Sequence, residues 1–529
     1  MRLELLDTTL RDGAQGEGIE LSLDDKRKIA LALEKIGVPW LEGGNPAANP
    51  KDEAFFAEAN SAPLLTTAAL GPFGATRRPD TSAGDDPGLR ALLQTEQPVV
   101  SLFGKADVRH VTEVLRVSPA ENLRMIEDSV SFLTAHGRRV FFDAEHFFDG
   151  ANADRGYAFD ALRAALRGGA ELLVLCDTNG GSLPDDLRAR VCEVRAALPQ
   201  VRLGVHLHDD MGLAAAGAIA CAQAGAHHIQ GTLNGVGERC GNLNLSTLIP
   251  TLQLKLGYEL LPPDNLPLLT PAARSLSEIM NLTPNRRAPY VGYSAFAHKG
   301  GMHIDGVAKN AASFEHVPPE SVGNRRRFLL SEQVGRSGVY ERMRRLVPEL
   351  TRDDRRVGLV TERLKRRELR GYAYESADGS FDLMALDALD LRRQFFKVVD
   401  FHVLSGMEGA ATAQAYIKIA VDGREEINAA EGEGPVNALD MALRKALMVF
   451  YPSLARMRLR DFKVRVIDSG GTASTVRVLI ESTDGRSVWS TVGVSSNIIM
   501  ACFKALCDSV EYYLTFLSEE AGAAAPGET

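Results

Sequence analysis

Short hydrophobic segments and helix-like stretches alternate through the first half of the chain. The hydrophobic segments cover residues 3–6, 39–41, 64–70, 98–103, 139–142, 172–176, 203–207 and 228–231. Between them apolar positions recur with helical spacing, and one such stretch runs from an N-cap at Ser22 to a stop at Gly37. Eight strand–helix pairs in about 260 residues predict a closed (β/α)8 TIM barrel, with an open doubly wound sheet as the alternative.

The pattern changes after residues 1–262, which we predict to form the barrel. Residues 263–392 are charged and lack alternation, so they predict a helical linker whose arginines either cover solvated faces or hold a phosphorylated substrate. Apolar and polar residues alternate again in residues 393–517. Two strand-like segments precede a first helix-like stretch, FKVVDFHVLSG and TAQAYIKIAVDG, and two similar segments precede a second, FKVRVIDSGG and STVRVLIESTDG. We therefore predict a duplicated ββα regulatory domain there, followed by a disordered tail at residues 518–529.

Composition narrows the class of protein. The 529 residues are 45% hydrophobic and 24% charged, which is typical of globular proteins. The formal net charge of -9 disfavours nucleic acid as a partner. The six cysteines include no CxxC pair, and the chain opens into a strand-like LELLD without a signal peptide or a membrane span. We therefore expect a cytoplasmic protein with reduced thiols.

Candidate chemistry follows directly after two predicted strands. LLDTTLRDG places Arg11 and Asp12 behind the first strand, and GVHLHDDMG places His206 and His208 two residues apart at the end of the seventh. Residues two apart on a strand face one side, and the strand ends of a barrel share one face. One carboxylate and two imidazoles there predict a divalent-metal site with positions open for substrate. A His-x-His pair alone is more often a surface or capped pair.

Such a metal would act as a Lewis acid on the ketone of a chelating 2-oxo acid, and Arg11 could stabilise the alkoxide that forms. Further polar residues follow other predicted strands. Asn242 in RCGN is a candidate neutral ligand, Glu145 in DAEHFFDG could order a substrate or a water, and Thr178 in CDTNGG could bind a carboxylate. For Thr178 and Asn242, loop capping is the alternative.

A second candidate cluster lies beyond the barrel, in HKGGMHIDGVAKN. It contains His303 and Asp305, which could reach the barrel mouth and give or take a proton. The pattern is equally compatible with a local structural element.

The repeated domain offers a candidate site for a free amino acid. Its two helices start near Gly434 and Ser495, where free N–H groups could bind a carboxylate. Val436 and Ile498 could line an apolar hole for the ligand's side chain. Ordinary loops are the alternative.

Over nearly its whole length the chain resembles the acyl-CoA-dependent, Claisen-condensing metal barrels, which comprise the 2-isopropylmalate, homocitrate and citramalate synthases. The shared segments are LRDG, HLHDDMG, GERCGNLNLSTLIP, HKGGMHIDGV and the duplicated C-terminal module. LRDGAQGEG, EGGNPAANPKDEAFF, FDAEHFFDG and LCDTNGG are similar to the citramalate synthase branch. Ala14 departs from the RDGEQ of isopropylmalate synthases, and Phe314 stands where related enzymes often carry a tyrosine.

The resemblance implies an acyltransferase that condenses acetyl-CoA with pyruvate and water, giving citramalate and CoA in isoleucine biosynthesis. It implies a homodimer and a divalent metal, with Mg or Mn favoured and Zn possible. The C-terminal module would bind an amino-acid inhibitor, with isoleucine expected first and leucine second. The barrel would hold the two substrates.

The resemblance also implies roles for single residues. The implied metal ligands are Asp12, His206, His208 and Asn242. Arg11 would polarise the ketone, and Glu145 and Thr178 would belong to the substrate site. His303, supported by Asp305, would be the acid–base group.

Substrate size separates this reaction from its nearest alternative, 2-isopropylmalate synthesis from 2-oxoisovalerate. Phe103, together with Phe73 and Phe142, lies near a strand end and could fill the volume that a larger side chain needs. A lyase of the hydroxymethylglutaryl type is a second alternative, disfavoured by the C-terminal module. A non-catalytic amino-acid sensor is a third, disfavoured by the intact Arg11 and Asp12.

Overall fold

The structure is a computed structural model that describes residues 2–61, 64–329, 336–406, 413–468 and 474–518. The chain forms two compact units. The first comprises Met1–Phe296 with Val317–Arg326, and the second comprises Ala297–His316 with Arg327–Thr529. Within the described ranges, no helix has both the length and the apolar character that crossing a bilayer requires. Residues 519–529 of the predicted disordered tail lie outside the described residues.

Eight parallel strands of the first unit close into a barrel in chain order, which confirms the predicted TIM barrel. The strands are β1 (Glu4–Asp7), β2 (Trp40–Gly44), β3 (Ala69–Ala75), β4 (Val99–Lys105), β5 (Arg139–Glu145), β6 (Leu172–Asp177), β7 (Arg202–Leu207) and β8 (His228–Gly231). β1 pairs with both β2 and β8, which closes the sheet. All eight strands therefore present their C-terminal ends on one face.

The helices of the first unit begin and end at residues that the sequence marks. They are α1 (Leu23–Ile36), α2 (Pro50–Ser61), α3 (Pro87–Gln94), α4 (Pro119–Ala135), α5 (Phe147–Ala153), α6 (Arg155–Gly168), α7 (Pro184–Ala197), α8 (Ala214–Gln223), α9 (Leu245–Leu256) and α10 (Leu269–Ile279). At α1, the Asp25 N–H donates to Ser22 Oγ at 3.1 Å and the Ser22 N–H donates to Asp25 Oδ2 at 3.0 Å. Gly37 ends α1 at a φ of 95°, a left-handed conformation that favours glycine.

β3 begins at Ala69 and not at residue 64, as the hydrophobic pattern predicted. The backbone N–H groups of Thr66, Thr67 and Ala68 donate to Oε1 of Glu34 on α1, at 2.6, 2.6 and 3.0 Å. The backbone N–H groups of the segment before β3 therefore donate to a helix carboxylate and not to a neighbouring strand. Only a contact distant in sequence decides this boundary.

Two apolar layers lie on the two sides of the barrel sheet. One cluster joins strand residues with one another: Leu6, Val99, Phe141, Leu172, Val174 and Cys176. The other joins strand residues such as Phe142 to residues of the surrounding helices. Because successive strand residues face opposite sides, Asp143 and Glu145 share the inner face with Phe141. The functional groups of β5 therefore point toward the barrel mouth.

The second unit contains a helical part and two three-stranded sheets. Its strands are β9 (Ala297–His298), β10 (Arg327–Phe328), β11 (Lys397–Ser405), β12 (Ala413–Val421), β13 (Arg424–Gly432), β14 (Arg458–Val466), β15 (Val476–Thr483) and β16 (Val488–Ser495). Its helices are α11 (Gly301–Lys309), α12 (Arg336–Met343), α13 (Arg355–Leu369), α14 (Asp378–Ala388), α15 (Pro435–Met448) and α16 (Ile498–Phe516).

The internal duplication is present, but each repeat is βββα and not ββα as predicted. β11, β12 and β13 form one sheet before α15, and β14, β15 and β16 form another before α16. β13 reads REEINAAEG and is largely exposed, so it lacks the apolar alternation of a half-buried strand. β16 (VWSTVGVS) is largely buried on both faces, so its apolar and polar residues do not alternate. The hydrophobic pattern alone therefore does not separate this strand from the following helix.

The linker helices share a core with the second repeat. Tyr374 and Phe381 are fully buried and cluster with Val492 and Val494 of β16. A cut at about residue 390, near the predicted linker boundary, would therefore expose this core. The second unit has to be probed with point variants.

Candidate active site

Three side chains with metal-ligand chemistry meet at the C-terminal face of the barrel. Asp12 lies in the turn after β1, His206 lies in β7, and His208 directly follows β7. Asp12 Oδ2 lies 3.1 Å from His206 Nε2 and 3.9 Å from His208 Nε2, and the two Nε2 atoms are 3.4 Å apart. All three residues are buried, and among the described residues their ligand atoms could surround one ion. We call Asp12, His206 and His208 the three-ligand group.

The protonation states of Asp12 and His208 suit cation binding. Burial opposes ionisation of Asp12, but the charge of Arg11 and the hydrogen bond from His206 hold the pKa of this carboxyl well below its usual range. Burial and the neighbouring His206 lower the pKa of His208 to about 4. The His208 ring is therefore neutral near pH 7 and can offer a nitrogen lone pair.

Asn242 extends the three-ligand group from the loop after β8. Its Nδ2 donates to Asp12 Oδ2 at 2.8 Å and lies 3.4 Å from His206 Nε2. Its Oδ1 is buried and accepts no hydrogen bond. Amide oxygen and nitrogen have the same shape, so a half-turn of this amide would point the oxygen at the group. A carboxylate, two imidazoles and an amide oxygen fit a divalent cation.

Arg11 is clamped beside the three-ligand group. Its Nε donates to Glu42 Oε2 at 2.5 Å, and its Nη1 lies 3.4 Å from Asp12 Oδ2. Its Cζ lies 3.8 Å from the centroid of the Phe73 ring. Burial opposes the charge, but Asp12 and Glu42 outweigh it and raise the pKa of Arg11. The guanidinium is thus charged and oriented, with donors left in its fork for a substrate oxygen.

Two of the three candidate phenylalanines form a wall beside Arg11. The rings of Phe73 and Phe103 stack with centroids 5.1 Å apart. Phe142 is fully buried in the layer between sheet and helices, so it cannot line the barrel mouth and the prediction that it fills substrate volume is wrong. The physical reason is strand alternation, because Phe142 is one residue out of step with the inward-facing Asp143.

Glu145 ends β5 and Thr178 directly follows β6, on the same face of the barrel. Glu145 at the end of β5 forms an ion pair with Lys105 at the end of β4. The Thr178 hydroxyl accepts the His146 backbone N–H at 2.9 Å, while His146 adopts the left-handed region at a φ of 57°. Thr178 therefore holds the loop after β5, as the capping alternative expected, and its O–H can still donate to a carboxylate.

His303 and Asp305 belong to α11 of the second unit. His303 is exposed, and its ring stacks on Phe314 with centroids 4.3 Å apart. The Asp305 carboxylate pairs with Lys309 at 2.6 Å and with Arg352. These pairs lower the pKa of Asp305.

The four candidate regulatory residues occupy matching turns of the two repeats. Gly434 is the N-cap of α15, and Val436 is half-buried in its first turn. Ser495 ends β16, and Ile498 opens α16 with 47% of its surface exposed. In the first repeat no side chain caps α15, so its opening N–H groups lie beside Val436 without a capping partner. In the second repeat the N-cap is Asn497 and not Ser495, and Asn497 Oδ1 accepts the N–H groups of Ile499 and Met500 at 2.9 and 3.1 Å.

Sequence reasoning missed three buried polar residues that support the site: Glu42 of β2, Asp143 of β5 and Gln230 of β8. Gln230 Oε1 lies 2.9 Å from His206 Nδ1, and Gln230 Nε2 donates to Asp143 Oδ1 at 3.1 Å. Burial and the charge of Glu42 raise the pKa of Asp143 to about 7. The signal in the sequence was a polar residue flanked by apolar residues or glycine within a strand.

A cavity of about 520 Å³ opens beside the ends of β2 and β3, between α2 and α3. Its lining combines polar groups, such as Asn45 and Arg78, with small residues such as Ala57 and Ala91. The small residues leave room for a flat group, and the charged lining residues are Arg78, Glu53 and Asp86.

Family models match three consecutive parts of the chain. A model described as HMGL-like matches residues 2–265. A model described as Homocitrate synthase post-HMGL domain-like matches residues 290–370, and one described as LeuA allosteric (dimerisation) domain matches residues 375–514. The matches follow the barrel, the linker helices and the two repeats in order.

Whole-length relatives distinguish between the members of this group. The chain is 46% identical to the (R)-citramalate synthase of Synechocystis sp., covering 98% of this chain and 97% of the relative. It is 44% identical to the (R)-citramalate synthase of Aquifex aeolicus, covering 98% and 99%. A probable 2-isopropylmalate synthase of Methanopyrus kandleri is 29% identical, covering 96% and 98%. The chain therefore belongs to the (R)-citramalate synthase family.

Proposed function

We propose that this protein condenses acetyl-CoA with pyruvate and water, releasing (R)-citramalate and CoA. The observation that carries the proposal is the clamped Arg11 guanidinium beside the three-ligand group, facing the Phe73–Phe103 wall. This arrangement suits a small 2-oxo acid whose ketone must be polarised. Family membership over nearly the whole chain supports the same reaction.

Asp12, His206 and His208, with Asn242 after the half-turn of its amide, are the residues that would hold a divalent cation, Mg²⁺ or Mn²⁺ before Zn²⁺. When bound, the cation supplies Lewis-acid polarisation of the 2-oxo acid. Replacement of His208 by alanine removes one imidazole, and we expect turnover that depends on added metal to be lost while the barrel stays folded. Metal-independent turnover of the wild-type protein would contradict the assignment.

The chain's own residues account for the remaining steps. The acetyl methyl group is a weak carbon acid and needs a positioned base. We propose His303 as the acid–base group, with Asp305 supporting it. The enolate attacks the ketone carbon of pyruvate, and Arg11 stabilises the alkoxide oxygen that forms. Water then cleaves the thioester, with Glu145 as the candidate that orders it and Thr178 donating to the pyruvate carboxylate.

The experiment that tests the reaction follows CoA release from acetyl-CoA with either pyruvate or 2-oxoisovalerate as the second substrate. We expect release with pyruvate and a kcat/KM at least about tenfold lower with 2-oxoisovalerate, because a methyl-sized site rejects extra methyl groups by that order. Chromatographic identification of citramalate completes the assay. Preference for 2-oxoisovalerate would favour isopropylmalate synthesis, and no release with either acid would favour a non-catalytic sensor.

We also infer that the cavity between α2 and α3 receives part of the coenzyme A moiety. Coenzyme A carries a flat adenine, which matches the small lining residues, and phosphates, for which Arg78 is the cation of the lining beside the carboxylates of Glu53 and Asp86. Replacing Arg78 with alanine should raise the KM for acetyl-CoA and leave the KM for pyruvate unchanged. Replacing the exposed Arg90 of α3, outside the cavity lining, should change neither constant. Equal changes in both KM values would contradict this placement.

We propose that the repeats bind a feedback inhibitor, with isoleucine first and leucine second. The turn at Gly434 would bind its carboxylate through the N–H groups that open α15, and the turn at Ser495 would do so in place of the Asn497 cap. Val436 and Ile498 would contact its side chain. Ile498→Ala should weaken inhibition by isoleucine, measured as the concentration that halves activity. Ile427→Ala, which truncates a similarly exposed side chain on β13, is the control. If both variants kept the wild-type inhibition curve, the inhibitor would bind elsewhere.

A further inference from the structure

Behind His206 a buried chain of hydrogen bonds runs across three strands of the barrel. His206 Nδ1 lies 2.9 Å from Gln230 Oε1, and Gln230 Nε2 lies 3.1 Å from Asp143 Oδ1. Gln230 is fully buried, and Asp143 and His206 are 3% and 6% exposed. Solvent water therefore cannot replace any of these side chains as a hydrogen-bond partner.

The chain of hydrogen bonds has a direction. An ionised Asp143 can only accept, so it takes the NH₂ group of Gln230. The Gln230 carbonyl then faces His206 and needs a donor, which makes Nδ1 the protonated nitrogen of the ring. Nε2 is left with its lone pair, and Nε2 is the atom that faces Asp12 and His208. With the amide reversed, Nδ1 would accept and Nε2 would carry the proton.

We propose that Gln230 and Asp143 are positioning residues for the metal site, which set the tautomer and orientation of His206 so that Nε2 can bind the cation. The inference rests on the proposed function, because it assumes a cation at the three-ligand group. Histidine ligands generally donate their second ring nitrogen to such a partner, and loss of the partner typically weakens metal binding 10–100-fold.

The first test replaces Gln230 with methionine, which keeps the side-chain length and removes both hydrogen bonds. The dissociation constant for Mn²⁺ is measured by calorimetry on the full-length protein, about one pH unit above the Asp143 pKa so that this carboxylate is ionised. We expect binding about 10–100-fold weaker than in the wild type. Asn122→Leu is the matched control, because Asn122 is a buried amide whose Nδ2 donates to Lys105 O and Tyr157 Oη and not to His206 or its partners.

The second test exchanges the two partners. In the double variant Asp143→Asn, Gln230→Glu, the new amide at position 143 can donate to the new carboxylate at position 230, which still accepts from His206 Nδ1. The direction of the chain is kept although both residues differ, so Mn²⁺ affinity should return close to the wild-type value. Both changes keep side-chain shape, so a role in packing alone predicts wild-type affinity for the single variant Gln230→Glu as well. The direction of the hydrogen bonds predicts weaker binding in that single variant, because the carboxylates at positions 143 and 230 would then face each other.

The outcomes distinguish a failure of the positioning role from a failure of the proposed metal site. If wild-type protein bound no Mn²⁺, or bound it unchanged after His208→Ala, the metal site of the proposed function would fail. If wild-type bound Mn²⁺ and Gln230→Met bound it equally well with an unchanged melting temperature, only the positioning role would fail. Loss of affinity without recovery in the double variant would also overturn it.

Discussion

At the scale of single residues, Arg11 is held by a carboxylate, by an aromatic face and by the adjacent Asp12. Arg11→Lys keeps a positive charge but loses the planar fork that these contacts orient. We expect kcat to fall about 10²–10³-fold, equivalent to about 2.7–4 kcal/mol, as for the loss of an oxyanion donor. Arg27→Lys on the exposed side of α1 is the control. A change in the KM for pyruvate alone would make Arg11 a ground-state binder.

Phe103 controls substrate size in our proposal, because its stack with Phe73 walls the site. Phe103→Leu removes volume there, and the kcat/KM ratio of 2-oxoisovalerate to pyruvate should rise about tenfold or more. Phe142→Leu makes the same change on the neighbouring strand, in the layer behind the sheet. It should lower stability by about 1 kcal/mol and leave the ratio unchanged. Equal ratios in the two variants would remove Phe103 from the specificity argument.

Glu511 of α16 is a buried carboxyl whose Oε1 accepts the Phe395 N–H at 3.3 Å. Burial raises its pKa from 4.5 to about 7. The folded protein therefore retains this proton to higher pH than the unfolded chain, and stability falls as pH rises toward and through about 7. In Glu511→Gln the pH-dependent decrease in the free energy of unfolding should be smaller, by up to about 3 kcal/mol. Urea unfolding of the wild type and the variant, below and above neutral pH, measures this difference. If the free energy of unfolding changed with pH in parallel for both proteins, the buried Glu511 carboxyl would not be the cause.

At the scale of elements, α1 shows how a short signal defines a helix that several other elements depend on. Its capping box joins Ser22 and Asp25, and its outer face provides Glu34 to the segment before β3. Ser22→Ala should lower the free energy of unfolding by about 1 kcal/mol. Ser131→Ala, on the exposed face of α4, removes a hydroxyl that caps nothing and should cost no stability. If Ser131→Ala lowered the free energy of unfolding and Ser22→Ala did not, the cap would not be the source of stability.

At the scale of the whole molecule, the candidate acid–base group and the three-ligand group belong to different compact units. We propose a homodimer in which His303 completes the site of the other subunit, and the match to a dimerisation domain supports a dimer. A mixture of His303→Ala and His208→Ala subunits should then recover about a quarter of wild-type activity, because half of the dimers are mixed and each holds one intact site. No recovery, with subunit exchange demonstrated by mass spectrometry, would place His303 in its own subunit's site.

The sequence by itself determined the barrel, the face that carries the chemistry and the three-ligand group. These follow from local rules: apolar runs mark strands, caps mark helices, and the ends of parallel strands meet on one face. Arg11, Asp12, His206 and His208 could be read from two short motifs because each side chain is placed by its own strand. The duplication was also visible, since its two copies are similar segments of one chain.

Only the tertiary structure decided the start of β3, the third strand of each repeat and the orientation of Phe142. Each depends on a partner distant in sequence or on strand phase: Glu34 bonds residues more than thirty positions away, and an exposed or doubly buried strand carries no alternation. The Asp143–Gln230 hydrogen bond spans 87 positions, so the direction of the hydrogen bonds behind His206 appears only when the barrel closes and brings β5, β7 and β8 around one interior. Local patterns determine which elements form, whereas contacts between elements determine which buried groups orient the site.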